Sequence, residues 1–416
     1  MSRLEIVGSK RLVGSMKIHG SKNAVLPLLT ACIVADGECV IKNCPEISDV
    51  SVSLKILKSL GCECSFKDHT VRVNSQNLNS FTVPKNLMCE MRSSVIYLGA
   101  LLSRSGRAVI SDPGGCDLGP RPIDLHISSL EKLGAGFSSD GSNLYCNAEN
   151  LCGTEIHLAF PSVGATENII LAAVRANGIT TIKNAACEPE IIDLADFLNL
   201  CGAEICGAGT KTVTVHGVKK LGGGEYTVSP DRIESCTYLS AFAVTGGRGE
   251  LYGVRPLEIK PFTALLQNMG CQLSFYENSV KIFAPEKLHS FGKITTGVYP
   301  DFPTDAGPLA VALGSSAIGK SEFCETVFPE RFAYLNELKK MGAKIVKSGA
   351  SAEIYGREKL HGATLKCTDL RAGAAAVVAS LGAVGKTQIT EIGYIDRGYE
   401  KFEQNLSALG ADIKRI

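Results

Sequence analysis

The chain has no tryptophan, and only 6% of its 416 residues are aromatic. No basic run alternates with aromatics, which argues against a base-stacking surface for nucleic acid. Net charge is scarce too: 43 Lys and Arg stand against 42 Asp and Glu. No global field then draws nucleic acid or an anionic membrane, so any phosphate must be held by locally gathered cations. Long apolar runs are missing. The uncharged stretch Ala372 to Gly385 is too short and too rich in Gly and Ala to span a bilayer, which predicts no membrane insertion. HExxH and paired Cys/His spacings are absent, so no metal site is expected. The sixteen cysteines contain no CxxC pair, and residues 1–20 have no apolar targeting segment. Scattered thiols among aliphatics, such as Cys32, Cys201 and Cys236, read as small hydrophobes in a reducing, cytoplasmic setting.

What is present is length enough for two domains, and an internal repeat. An amphipathic stretch, then Leu/Met/Cys-Gly-Ala/Cys, then a short strand-like run recurs at Gly61, Gly134, Gly202, Gly270, Gly342 and Gly410. The spacings are 73, 68, 68, 72 and 68 residues. Each Gly suits the left-handed residue that ends a helix. Upstream of each lies a helix of small residues, a Gly-marked turn and a β-branched strand, as at Gly178-Ile-Thr-Thr-Ile. The pattern is roughly βαβαββ, an α/β architecture of six units, with the small-residue helix expected at the buried centre.

The residues entering these first helices are Lys22, Arg92, Ser162 to Gly164, Asp231-Arg232, Asp305 and Arg371, again about seventy apart. Superposed repeats would bring them to equivalent helix starts, where backbone N–H groups favour anions. Loops before the second helices add Arg121, Asp124, Glu188, Glu190, Arg331 and Arg397. Asp124 and Asp231 read equally well as ordinary N-caps, but a helix start disfavours cations such as Lys22, Arg92 and Arg371. The second unit carries an expanded loop, Ser111 to Pro122, with Cys116 five residues before Arg121. Its glycines suit a mobile lid, and nearby cations would lower the thiol pKa. Gly314-Ser-Ser-Ala-Ile-Gly-Lys-Ser321 fits the P-loop pattern, yet a helix precedes it and a strand follows, the reverse of what a phosphate cradle needs. Gly319 instead matches the helix-to-strand turns of the other repeats.

The segments Gly20-Ser-Lys-Asn-Ala, Met91-Arg-Ser-Ser, Pro113-Gly-Gly-Cys-Asp-Leu-Gly-Pro-Arg-Pro-Ile-Asp-Leu-His, Ser162-Val-Gly-Ala-Thr, Phe302-Pro-Thr-Asp, Glu325-Thr-Val-Phe, Asp369-Leu-Arg and Asp396-Arg-Gly-Tyr-Glu carry a resemblance. In this order and spacing the chain resembles the UDP-N-acetylglucosamine enolpyruvyl transferases of peptidoglycan synthesis over essentially its whole length. The resemblance implies a two-domain inside-out α/β barrel of six repeats. It also implies that residues 21–229 form one domain, with 1–20 and 230–416 forming the other.

It further implies roles. Lys22, Asn23, Arg121 and Arg397 would hold the phosphate of phosphoenolpyruvate, and Arg331 and Arg371 its carboxylate. Arg92, Arg121, Pro122, Ile123, Asp124, Leu125, Ser162, Val163, Asp305 and Val327 would contact UDP-N-acetylglucosamine. Cys116 would be the proton donor, able to carry a covalent adduct of the three-carbon unit, and the target of fosfomycin. Asp305 would take the proton from the sugar 3-hydroxyl. No cofactor is implied. The chain departs from the family pattern at Ala306-Gly307-Pro308, Phe160 and Cys187. Two rivals share the architecture. A transferase acting on shikimate 3-phosphate has no lid cysteine, and a non-catalytic UDP-sugar sensor has only the altered flank of Asp305 in its favour.

Overall fold

The computed structural model describes residues 2–111, 113–114, 122–356 and 359–416. Cys116 and Arg121 lie outside these described residues.

The repeat is visible first in the backbone of its glycines. Gly61, Gly134, Gly202, Gly270, Gly342 and Gly410 have φ between +90° and +101°, a conformation that a Cβ would strain. Each ends a helix and turns the chain into a strand. Those helices are Ser48–Ser59, Asp124–Lys132, Pro189–Leu200, Lys260–Asn268, Tyr334–Lys340 and Phe402–Ala408.

The sheets repeat one topology. Lys293–Thr295 lies parallel to Lys320–Cys324, the helix Gly307–Ser315 forming the crossover. Ser351–Tyr355 pairs antiparallel with Lys320–Cys324, and Lys344–Ser348 completes the far edge. The same strand order recurs in five four-stranded sheets. The sixth sheet has three strands, Arg107–Ile110, Leu144–Asn147 and Gly136–Ser139, and Thr82 replaces the missing first strand with a single parallel bridge to Val109. Every sheet is open, so strand pairing closes no barrel among the described residues.

By contacts, the described residues divide into two compact units, one of residues up to His19 with Pro230–Ile416, the other of the described residues between Gly20 and Ser229. Two short strands change places in this division. Val13–Lys17 pairs parallel with Arg248–Tyr252, which follows it by more than two hundred residues. Conversely Glu225–Thr227 pairs parallel with Glu38–Lys42, far upstream. Leu4–Val7 sits between Lys386–Thr390 and Asp412–Arg415, supplying the strand that the last repeat lacks.

Small residues let the first helices lie close together. In Leu370–Gly382 every residue from Leu370 to Leu381 is buried, and this helix touches both Arg232–Val244 and Gly307–Ser315. In the other unit a Cβ at Gly99 would lie 2.2 Å from the Asn168 carbonyl oxygen, so only Gly permits that helix contact. Sheets present one face to these helices, as the alternating burial of Thr212–His216 and Ser351–Tyr355 records. Each fully buried Leu or Ile contributes roughly 1.5–3 kcal/mol, and the helices supply most of them. Helices inside and sheets outside is the inside-out arrangement expected.

The apparent P-loop is a turn. Gly319 has φ +105°, follows the helix Gly307–Ser315, and leads into Lys320–Cys324. Lys320 begins that strand and pairs with Glu353 on the neighbouring one, so it faces no phosphate cradle.

Candidate active site

In the unit containing Pro230–Ile416, three helix starts gather charge. Asp305 lies in a single 3-10 turn, Thr304–Ala306, that opens the helix Gly307–Ser315. Pro308 falls in the first turn, where its missing N–H costs nothing. Gly307 fits there without disturbing Phe323, whose ring a Cβ would meet at 2.7 Å. The Ala306-Gly307-Pro308 departure therefore leaves a well-formed helix entry.

Asp305 divides its carboxylate. Arg331 Nη1 donates to Oδ1 at 2.8 Å, and Arg371 Nε donates to Oδ2 at 3.1 Å. Both guanidiniums are almost fully buried, while the Asp305 side chain keeps 28% exposure. Burial opposes the Asp305 charge, but Arg371 and Arg331 outweigh it and hold the carboxyl well below the usual range. Asp369 caps the helix Leu370–Gly382, accepting from the N–H groups of Arg371 at 2.9 Å and Ala372 at 3.0 Å. Arg371 Nη1 also donates to Tyr399 Oη at 3.3 Å, and that oxygen lies 2.8 Å from Thr237 Oγ1. The two arginines expected to serve a substrate carboxylate are thus gripping a protein carboxylate instead. A carboxylate held this way is fully ionised but weakly basic. Val327 is partly buried on the loop that follows Cys324, and Arg397 stands at the C-cap of Gly393–Asp396.

The unit of Gly20–Ser229 carries the other expected residues. Ser21 caps the helix Lys22–Ala31, and Lys22 Nζ lies 3.0 Å from Asp49 Oδ2, which is itself buried. Asn23 follows in the first turn, partly exposed. Arg92 opens a 3-10 segment, Arg92–Ile96, and its Nη2 donates to the Pro122 carbonyl at 3.5 Å. Ser162 caps Val163–Ala173, accepting from Ala165 N at 3.3 Å. In the unit of Pro230–Ile416, Asp231 is likewise a true N-cap, accepting from Ile233 N and Glu234 N at 2.8 and 2.9 Å. Asp124 is not: Ile123 holds the cap position without a side-chain bond, and Asp124 is the first helical residue, exposed. Leu125 is partly buried beside it.

One residue after Leu125, His126 is 6% exposed. Asn168 fixes its tautomer. The Asn168 Oδ1 accepts from Gly99 N at 2.6 Å, so its Nδ2 must face His126 Nδ1, 2.9 Å away, and donate to it. Burial, reinforced by Arg92, pushes the His126 pKa down to about 4, so the ring stays neutral. Phe160 is exposed, and Cys187 is half-buried.

Sequence reasoning overlooked Asp49, Asp369 and Tyr399. Asp49 had a signal: it lies in the first turn of a second helix, the position already singled out at Asp124 and Glu190. Tyr399 had none, since its hydroxyl matters only through folding. Among the described residues no three His, Cys, Asp or Glu side chains cluster as metal ligands, and no helix is long and apolar enough to cross a membrane.

Residues 6–406 match the family model of EPSP synthase (3-phosphoshikimate 1-carboxyvinyltransferase). UDP-N-acetylglucosamine 1-carboxyvinyltransferase 2 of Caldanaerobacter subterraneus subsp. tengcongensis is 47% identical over the full length of both chains. UDP-N-acetylglucosamine 1-carboxyvinyltransferase 1 of Symbiobacterium thermophilum is 44% identical, over all of this chain and 95% of its own. Among solved structures, the enolpyruvyl transferase NikO from Streptomyces tendae superposes with a TM-score of 0.90 at 25% identity, covering 100% of this chain and 98% of that one. EPSP synthase from Acinetobacter baumannii shares the fold at a TM-score of 0.75 and 18% identity, with 100% of each chain covered. Full-length identity well above that of the shared fold separates the branches, and the chain belongs to the carboxyvinyl transferase family, among its UDP-N-acetylglucosamine 1-carboxyvinyltransferases.

Proposed function

We propose that this enzyme moves the carboxyvinyl group of phosphoenolpyruvate to the 3-hydroxyl of UDP-N-acetylglucosamine and releases phosphate, the entry step of peptidoglycan synthesis. The observation that carries the reading is the pair of buried guanidiniums at 2.8 and 3.1 Å from Asp305. Such a pair suits a small carboxylate substrate, and its protein occupant is the group proposed as base.

The chemistry adds an alcohol across an enol and then eliminates phosphate. A proton goes to C3, the sugar oxygen bonds to the cationic C2, and the hydroxyl proton passes to Asp305. Loss of a C3 proton then restores the double bond as the C2–O bond to phosphate breaks. Cys116 would serve as the acid and carry the covalent adduct; Lys22, Asn23, Arg121 and Arg397 would hold the phosphate. Arg92, Pro122 to Leu125, Ser162, Val163 and Val327 would hold the nucleotide sugar. When the substrate carboxylate joins Arg331 and Arg371, their charge is shared, and Asp305 becomes a stronger base. The free thiols of all fifteen described cysteines support a reducing cytoplasm as its place of work.

Phosphate release is the test. Turnover with phosphoenolpyruvate and UDP-N-acetylglucosamine, and none with shikimate 3-phosphate, is expected; the opposite preference overturns the reading.

A further inference from the structure

We propose that Glu325 is a positioning residue for Asp305, acting through Thr304 and Arg331. The proposal rests on the function above and assigns a task to a carboxylate that this function leaves unused. Glu325 is 1% exposed, and a buried carboxylate is costly unless it is well paired. No guanidinium or ammonium pairs with it in any bond described for it; its partners are hydroxyls and backbone N–H groups. Oε1 accepts from Thr296 Oγ1 at 2.8 Å, Val327 N at 2.8 Å and Phe328 N at 3.0 Å. Oε2 accepts from Thr304 Oγ1 at 2.8 Å.

The direction of that last bond matters. A carboxylate only accepts, so the Thr304 proton is committed to Glu325, and the hydroxyl turns its lone pairs elsewhere. Arg331 Nη1 donates to them at 3.2 Å, and the same nitrogen donates to Asp305 Oδ1 at 2.8 Å. Glu325 thus sets which way Thr304 faces, Thr304 sets where Nη1 sits, and Nη1 sets one oxygen of Asp305. A second route converges on the same guanidinium. Phe328, whose N–H is held by Glu325, lies with its ring 6.0 Å from Arg331 Cζ, and its carbonyl accepts from Arg331 N at 2.9 Å. Glu325 therefore acts on Arg331 through side chain and backbone together, touching neither Asp305 nor any reacting atom.

Glu325→Gln keeps size and the Oε1 contacts but turns an amide N–H₂ toward Thr304, reversing the bond. It should lower kcat about tenfold to a hundredfold, as small misplacements of a reacting group do, with KM for UDP-N-acetylglucosamine within about threefold. Thr304→Val should match that loss, Thr304→Ser should restore most of it, and the double variant Glu325→Gln/Thr304→Val should lose no more than either single one. A reading without substrate accompanies these: the ¹⁵N signals of the two Arg331 Nη groups should be separate in the ligand-free wild type and averaged in Glu325→Gln and Thr304→Val. Wild-type kcat with unaltered Arg331 signals, additive losses, or a fall in Tm alone overturns the proposal. Should Glu325→Gln not fold, the Thr304 pair decides by itself. If the wild type turns over neither acceptor, the function falls, while the Arg331 signals still judge this inference.

Discussion

Asp305 and Arg371 stand 66 residues apart in sequence, yet Nε and Oδ2 meet at 3.1 Å. That separation is one repeat, so the contact joins the same helix start in consecutive copies. The repeat thus brings these two charges together, and Arg331 joins them from within Asp305's own copy.

Asp305→Asn should lower turnover by roughly 10²–10⁴-fold, the contribution of a positioned base. It should also destabilise the fold by about 3–5 kcal/mol at neutral pH, since two buried guanidiniums lose their anion. The folded carboxyl titrates well below its unfolded value, about 3.9. Its contribution is therefore complete above that value and declines as pH falls below it toward the folded one. Denaturant melts at pH 7, 5 and 3 should show a constant gap between wild type and variant down to about pH 4. A gap that closes between pH 7 and 5 contradicts the ion pairing.

His126 gives an acid sensitivity in a milder window. Its folded pKa is depressed to about 4 from the 6.5 of a free histidine, so the unfolded chain protonates first. Stability from this site is complete above about pH 6.5 and declines as pH falls toward 4, by up to roughly 3 kcal/mol. His126→Gln should flatten that part of the profile. Identical slopes for both proteins would show that the ring titrates freely.

Arg397→Ala should weaken phosphoenolpyruvate use severely and leave UDP-N-acetylglucosamine affinity nearly unchanged, because each charge-assisted phosphate contact contributes roughly 1.5–3 kcal/mol. Lys22→Ala should behave alike, with the added effect of taking the Lys22 ammonium away from buried Asp49. Calorimetric titration with each substrate separates the two; equal losses for both refute the phosphate assignment.

Fosfomycin should add one adduct, at Cys116, and abolish activity. Burial pushes Cys44, Cys146, Cys271 and Cys367 up to about 12, which leaves them as unreactive thiols. The exposed Cys89, Cys152 and Cys206 are where a competing adduct would appear in the mass spectrum. Cys116→Asp should turn over and resist the epoxide, and Cys116→Ala should lose roughly 10²–10⁴-fold in rate. Full activity in Cys116→Ala passes the acid's role to another group.

The repeat was legible because it is written in glycines: six left-handed turns at near-constant spacing leave a periodic mark that a helix C-terminus explains alone. Lys22, Asp305 and Arg371 were legible as polar residues at equivalent helix starts. Asp124 was not, because an aspartate one position past the cap has the same local sequence as one at the cap. The masking of Asp305 was hidden for a deeper reason. Its two partners come from its own repeat and the next, and no local pattern states that Asp305 and two arginines from different segments will hold one another. Glu325 stood within a recognised segment, but its task depends on the direction of one hydroxyl proton.

The strands that change places set a timetable for the ribosome. The unit of Gly20–Ser229 has all its strands once Thr227 has emerged. Leu4–Val7 and Val13–Lys17, although made first, have partners only at Lys386–Thr390, Asp412–Arg415 and Arg248–Tyr252. At about 5–20 residues per second, the first strand waits roughly 20–80 seconds for its last neighbour. Over that interval Leu4 and Ile6, fully buried at the end, are exposed apolar residues on a nascent chain. Slowed translation late in the message should therefore harm this protein more than the same delay early in it.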